Sequence, residues 1–280
     1  MILDMHIVGA MGMRGSVVLL MLVVLAGWPL QAHAGDPDQG MSRAWNIEEP
    51  WIENAYYIYA SRDNSNAPGH TVSASVERDV AFSRRWGAEI DGPGVMAVQP
   101  LGKGAVAMTP LSFGLKFAPW QWGSDDEDSA GIIDFEVEGG WWPRPQPQNF
   151  PGTGSSMTEQ VLIGLRQSSR WLQGQYAVTQ RLGADARSGW SANTAIGQRL
   201  SQIWSVQLEL DLNHTSVAAN GATTLGITWI PQVCMQIGHA WEMVVGESFA
   251  RVGGQSGYTG TTNVLFEYRF DNDEDSPDGS

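Results

Sequence analysis

The chain has one cysteine, Cys234, in 280 residues. No intrachain disulfide can form, and a zinc site built from cysteine thiolates is excluded. Bases are scarce too: 16 Lys and Arg stand against 30 Asp and Glu, a formal charge of −14. Such acidity does not suit nucleic acid, whose phosphates require a positive surface. Beyond residue 34 no apolar run approaches the roughly 20 residues of a membrane helix, and no long stretch carries a helical period. Stability has to come from strand pairing.

The first residues form a separate unit of meaning. From Met13 the chain reads "MRGSVVLLMLVVLAGWPLQAHAGD", with one base (Arg14), an apolar run from Val17 to Ala26, a break at Trp28-Pro29 and the small-x-small site Ala32-His33-Ala34. This is the layout of a secretory signal peptide over residues 1–34, with cleavage before Gly35. A lipid anchor at that site is excluded because no cysteine follows it. The exported chain is then either soluble in the periplasm or folded into the outer membrane of a Gram-negative bacterium as a barrel.

Residues 35–50 read as a periplasmic lead-in. Over 51–270 about twelve segments alternate apolar and polar residues: 54–62, 71–80, 86–96, 111–117, 133–141, 159–167, 171–182, 189–200, 203–214, 223–230, 233–244 and 261–270. In "IWSVQLELDLNH" Trp204, Val206, Leu208, Leu210 and Leu212 stand between Ser205, Gln207, Glu209, Asp211 and Asn213. A period of two makes a strand with one apolar and one polar face. Short links such as "SSR", "SQ" and "PQ" alternate with long ones, which is how outer-membrane barrels join their strands. "PWQWGSDDEDSA" is long where a short link is due. The fold class is all-β: a transmembrane, antiparallel, up-and-down barrel of about twelve strands.

The faces can be assigned. The polar face collects Glu77, Asp79, Glu89, Asp91, Asp134, Glu136, Glu138, Glu209, Asp211, Glu242 and Glu267, with the bases Lys116, Arg166, Arg181, Arg199 and Arg269. The apolar face carries Phe113, Phe117, Phe135, Trp204, Trp229, Phe266 and Tyr268. A barrel of about twelve strands is too wide for side chains to fill, since about eight is the size they fill. The apolar face therefore points to lipid and the acid-rich face to the lumen. Trp51, Trp86, Trp120, Trp141, Trp171, Trp190 and Trp241 sit near segment ends, where interface girdles form.

Chemical motifs are few. "SDDED" (124–128) lacks the spaced ligands and glycine of a calcium loop and reads as a solvated charge run. The tail 271–280, "DNDEDSPDGS", has a disordered composition. His214 and Ser216 stand near Glu209 and Asp211, but no recognised catalytic motif surrounds them. His239 has no second histidine in register. No catalytic residue, metal ligand or cofactor is expected.

The succession "GAEIDGPG", "PLSFGLKF", "FEVEGGWWP" and "WSVQLELDLNHT" resembles the outer-membrane transporters associated with meta-pathway phenol degradation. The resemblance implies a β-barrel that passes small molecules. The expected function is a channel or transport component for small solutes, cationic or aromatic, surrounded by outer-membrane lipid. Two alternatives stay open: a barrel with a plugged lumen that docks envelope proteins, and a soluble periplasmic β protein that binds apolar ligands.

Overall fold

The computed structural model describes residues 41–64, 70–92, 94–99, 105–123, 129–141, 155–182, 187–217, 223–238, 240–253 and 257–270. The expected signal peptide, the first residues of the lead-in, the acidic loop 124–128, His239 and the tail 271–280 lie outside these residues. The regular elements are strands: β1 (Ala55–Asp63), β2 (His70–Ser83), β3 (Trp86–Asp91), β4 (Val95–Gln99), β5 (Ala105–Met108), β6 (Leu111–Trp122), β7 (Ser129–Trp141), β8 (Ser155–Gln167), β9 (Arg170–Leu182), β10 (Arg187–Arg199), β11 (Trp204–Val217), β12 (Thr223–Ile237), β13 (Trp241–Val252) and β14 (Thr259–Arg269).

Antiparallel pairing runs β1–β2–β3–β6 and then in chain order to β14, which pairs back onto β1. The result is a closed ring of twelve strands. Strands about 4.8 Å apart and tilted about 40° give such a ring a backbone radius of about 12 Å. The two remaining strands, β4 and β5, extend the wall where β2 reaches beyond β3: its first residues pair with β4 and its later ones with β3. The expected third and fourth segments thus continue into a hairpin. The break between β3 and β4 is made by Gly92, whose φ is +87° and whose absent Cβ would lie 2.8 Å from the Pro110 carbonyl oxygen. Only glycine meets both conditions.

One boundary differs from the expected pattern. "PQ" at 231–232 was expected to turn the chain, yet Pro231 lies inside β12, opposite Leu208 of β11. The turn comes later, at 238–240. The β12–β13 register passes from Trp229↔Phe249 directly to Gln232↔Gly246. Proline has no N–H to donate, so the ladder is interrupted on that side alone while β11 continues to pair on the other.

Tight connections at 84–85, 168–169, 200–203 and 238–240 share one end of the barrel with the start of β1 and the finish of β14. The long link between β6 and β7 is at this end as well. At the opposite end β1, β4, β7, β9, β11 and β13 finish and β2, β5, β8, β10, β12 and β14 start. Around the wall the period of two holds. Phe113, Phe135, Trp204, Leu208, Trp229 and Phe266 are exposed, while their neighbours Ser112, Asp134, Ser205, Gln207 and Glu267 are buried. The apolar outer face matches a bilayer. A soluble protein with apolar ligands in its interior would show the reverse.

Candidate functional site

The alternation turns the acids inward. Glu77, Asp79, Glu89, Asp134, Glu136, Glu209, Asp211, Glu242, Glu267 and Lys116 are buried. Asp91, Glu138, Arg166 and Arg269 are half-buried on the same face. Arg181 and Arg199 share that face but are exposed, near the loop end of β9 and the turn end of β10.

The interior is not empty. The described part of the lead-in, residues 41–50, expected outside the barrel, lies within it. Met41, Arg43, Ala44, Ile47, Glu49, Trp51, Ile52 and Glu53 are buried. Segment 41–54 has no regular structure and no ladder partner, so its backbone groups need side-chain partners. The wall supplies them. The amides of Trp45 and Asn46 donate to the two oxygens of Glu209 at 2.8 and 2.9 Å. Ala44 N donates to Gln173 and Glu48 N to Gln175, each at 3.2 Å. In return Gln207 donates to the Arg43 carbonyl at 2.7 Å and Asn193 to that of Asn46 at 3.0 Å. The Asn46 side chain donates to Asp211 at 2.6 Å.

These contacts trace a path. Ser42 meets Ser205 near the turn end of β11, at 2.9 Å. Asn46 reaches Asp211, further along the same strand. The chain then returns: Pro50 lies against Gly164, Ile52 against Gly87, and Asn54 accepts from Ala81 N at 3.1 Å before β1 begins. A Cβ at Gly164 would stand 3.0 Å from Pro50, and one at Gly87 3.1 Å from Ile52. The wall is thinned where the segment leans on it. The segment therefore rises into the lumen and leaves by the end at which it entered.

Charge holds it there. Arg43 donates from Nη1 to Glu77 at 2.6 Å and from Nη2 to Glu48 at 2.5 Å, with its guanidinium 4.1 Å from the Tyr57 ring centroid. Tyr59 donates to the other Glu77 oxygen at 2.6 Å. Lys116 sits between Asp79 at 2.9 Å and Glu89 at 2.7 Å. Arg269 pairs with Glu267 and, at 3.6 Å, with Glu242.

Sequence reasoning did not find Arg43, Asn46, Glu48 or the amide side chains Gln173, Gln175, Gln207 and Asn193 as part of this site. The one available signal was that inward positions of β8–β12 carry Gln and Asn, which can donate and accept together. Two tryptophans also moved. Trp51 belongs to the internal segment, and Trp171 faces inward, buried with Met41, Ile52 and Ile132. Trp171 donates to Gln207 at 3.3 Å, and its ring covers Gly197 so closely that a Cβ there would overlap it. Gly197→Val is expected to displace the ring and lower unfolding stability by about 1–3 kcal/mol, read from urea unfolding in lipid vesicles. Trp86, Trp120, Trp141 and Trp241 are exposed on the outer face.

His214 and Ser216 stand on the outer face, opposite to Glu209 and Asp211. His214 stacks on Trp190 at 5.5 Å, and the Ser216 hydroxyl pairs with that of Ser188 at 2.8 Å. Residues an odd number apart on one strand face opposite ways, so no triad assembles from these four.

No family model and no curated protein matches the sequence. Solved structures with a similar course of chain include the KdgM porin, with a TM-score of 0.47 at 10% identity over 77% of this chain and 99% of that one. The NanC porin matches with a TM-score of 0.49 at 6% identity, over 77% and 100%. The translocator domain of autotransporter NalP from Neisseria meningitidis gives 0.45 at 13%, over 80% and 90%. The functional reading rests on the residues of the chain itself.

Proposed function

We propose that this is an outer-membrane barrel that passes small solutes, cations ahead of anions, through a lumen that segment 41–54 closes from the periplasmic side. The observation that carries the reading is the inward ring of buried carboxylates beneath an apolar outer face. Carboxylates in a narrow polar passage raise the local concentration of cations and repel anions. The same groups hold the segment: Glu209, Asp211 and Glu77 each bond to it. When it withdraws they face the lumen, so the lock and the selectivity filter share residues. Resemblance to the phenol-degradation transporters adds small aromatic solutes to the candidates.

Cys234 provides a test. It faces Ser205 across the β11–β12 ladder, and Ser205 bonds to Ser42 at 2.9 Å, which brings Ser42 beside the thiol. Ser42→Cys would bring a second thiol to it. Refolded residues 35–280 carrying this change are placed in a planar bilayer under a salt gradient. Under reducing conditions, openings with a cation-selective reversal potential are expected. Oxidation, checked by the mass of the crosslinked chain, is expected to abolish them.

The bonded seat of the segment favours a second reading, a permanently filled barrel that docks envelope proteins through its long loops or acidic tail. Silence in both redox states, from a folded and inserted barrel, would select that reading. Loss of partner capture on deletion of 271–280 would then assign the docking to the tail.

A further inference from the structure

Among the described residues, one cation on the outer face of the wall is set among aromatic rings. Near the turn end, Trp241, Tyr268, Phe270 and Tyr56 form a chain of rings across β13, β14 and β1, with centroids 4.7, 4.9 and 5.3 Å apart. On β2, Arg78 lies opposite Tyr56 and Ile90, both outward-facing. Its guanidinium is 4.2 Å from the Tyr56 ring centroid and 4.5 Å from that of Phe270. The rings fix the planar group but use none of its N–H donors.

Those donors are largely unspent. A guanidinium has five N–H groups. Arg78 makes a single long contact, from Nη1 to the Ala55 carbonyl at 3.4 Å. Among the described residues no carboxylate lies within ion-pairing distance of it, and Asp79 beside it points into the lumen. Arg84 and Arg85, exposed in the adjoining turn, add positive charge at the same rim. An unpaired cation on a lipid-facing wall is costly except near the interface. A flat fork of donors matches the two free oxygens of a phosphodiester.

We propose that Arg78, clasped by Tyr56 and Phe270, binds the phosphate of an anionic phospholipid in the periplasmic leaflet of the outer membrane. The site rests on the membrane reading above and takes the lipid from the bilayer, not from the lumen.

The test uses the refolded chain 35–280 in vesicles of phosphatidylcholine with one part in five phosphatidylglycerol, extracted into mild detergent and weighed intact. Wild type is expected to retain phosphatidylglycerol, and Arg78→Ala to retain it about tenfold less, in line with the loss of charge-assisted hydrogen bonds. Arg78→Lys, which keeps the charge but loses the fork, should fall between them. Equal retention by wild type and Arg78→Ala, both folded by circular dichroism, would overturn the proposal. So would retention that appears only after deletion of 271–280, because the tail carboxylates would then occupy the guanidinium. Recovery of the chain as a soluble protein without detergent would instead overturn the membrane reading itself.

Discussion

A chain lacking residues 41–50 is expected to form a steadily open, cation-selective pore where the full chain opens only in brief events. The deletion removes the contacts of Arg43, Ala44, Trp45, Asn46 and Glu48 with the wall. It keeps Asn54, whose bond to Ala81 N sets the entry into β1. The strand ladders, which carry the barrel, are untouched. The lumen left behind has a backbone radius of about 12 Å, less the side chains that line it. Glu77, Glu209 and Asp211 lose their partners in the segment and face water, Glu77 keeping Tyr59 and Glu209 keeping Gln232. Conductance at least about tenfold above that of the full chain is expected, with the reversal potential displaced toward the cation. Planar-bilayer recording of the two proteins side by side measures this. A folded, inserted deletion variant that conducts no better than the full chain would sink the gating proposal, because the segment would then not be what closes the lumen.

Replacing Lys116 with Met is expected to cost about 3–5 kcal/mol of unfolding free energy, the usual consequence of removing one partner of a buried ionic group. Lys116 is the cation that both Asp79 and Glu89 contact, at 2.9 and 2.7 Å, and all three side chains are buried. Its loss leaves two carboxylates facing each other across the β2–β3 ladder, where Asp79 and Glu89 are direct partners. Like charges at that separation cannot both stay ionised at low cost. Urea unfolding in vesicles reads the change. The combined variant Lys116→Met, Asp79→Leu, Glu89→Leu should regain most of it, since apolar residues of similar size often replace a buried ion pair without loss. A single variant as stable as wild type would mean that water or protons already neutralise these acids.

How much of this was readable in the chain follows from where the information resides. Inward and outward placement obeys a local rule, alternation, and so the carboxylate lining and the lipid-facing aromatics could be assigned from neighbours alone. Pro231 misled because proline commonly ends a strand; its tolerance depends on which partner strand would have received the missing N–H, and that lies beyond the local pattern. Trp171 misled because a tryptophan near a strand end fits a girdle and an inner wall equally well, and the space made by Gly197 becomes evident only once β9 and β10 are paired. The internal segment was least legible. "MSRAWNIEEPWIEN" has no period, and its position depends on Gln173, Gln175, Asn193, Glu209 and Asp211, 127 to 165 residues further along.

That separation also orders assembly. Segment 41–54 precedes every strand, yet the partners of its residues 44–48 lie largely on strands β9 to β11, which come more than a hundred residues later. Contacts so distant along the chain form late, because the long loop between them must be closed first. The segment that comes first among the described residues is thus expected to be among the last to reach its place. If the segment is what closes the lumen, each newly made barrel is expected to pass through an interval, between closure of the ring and arrival of the segment, in which it is inserted and open.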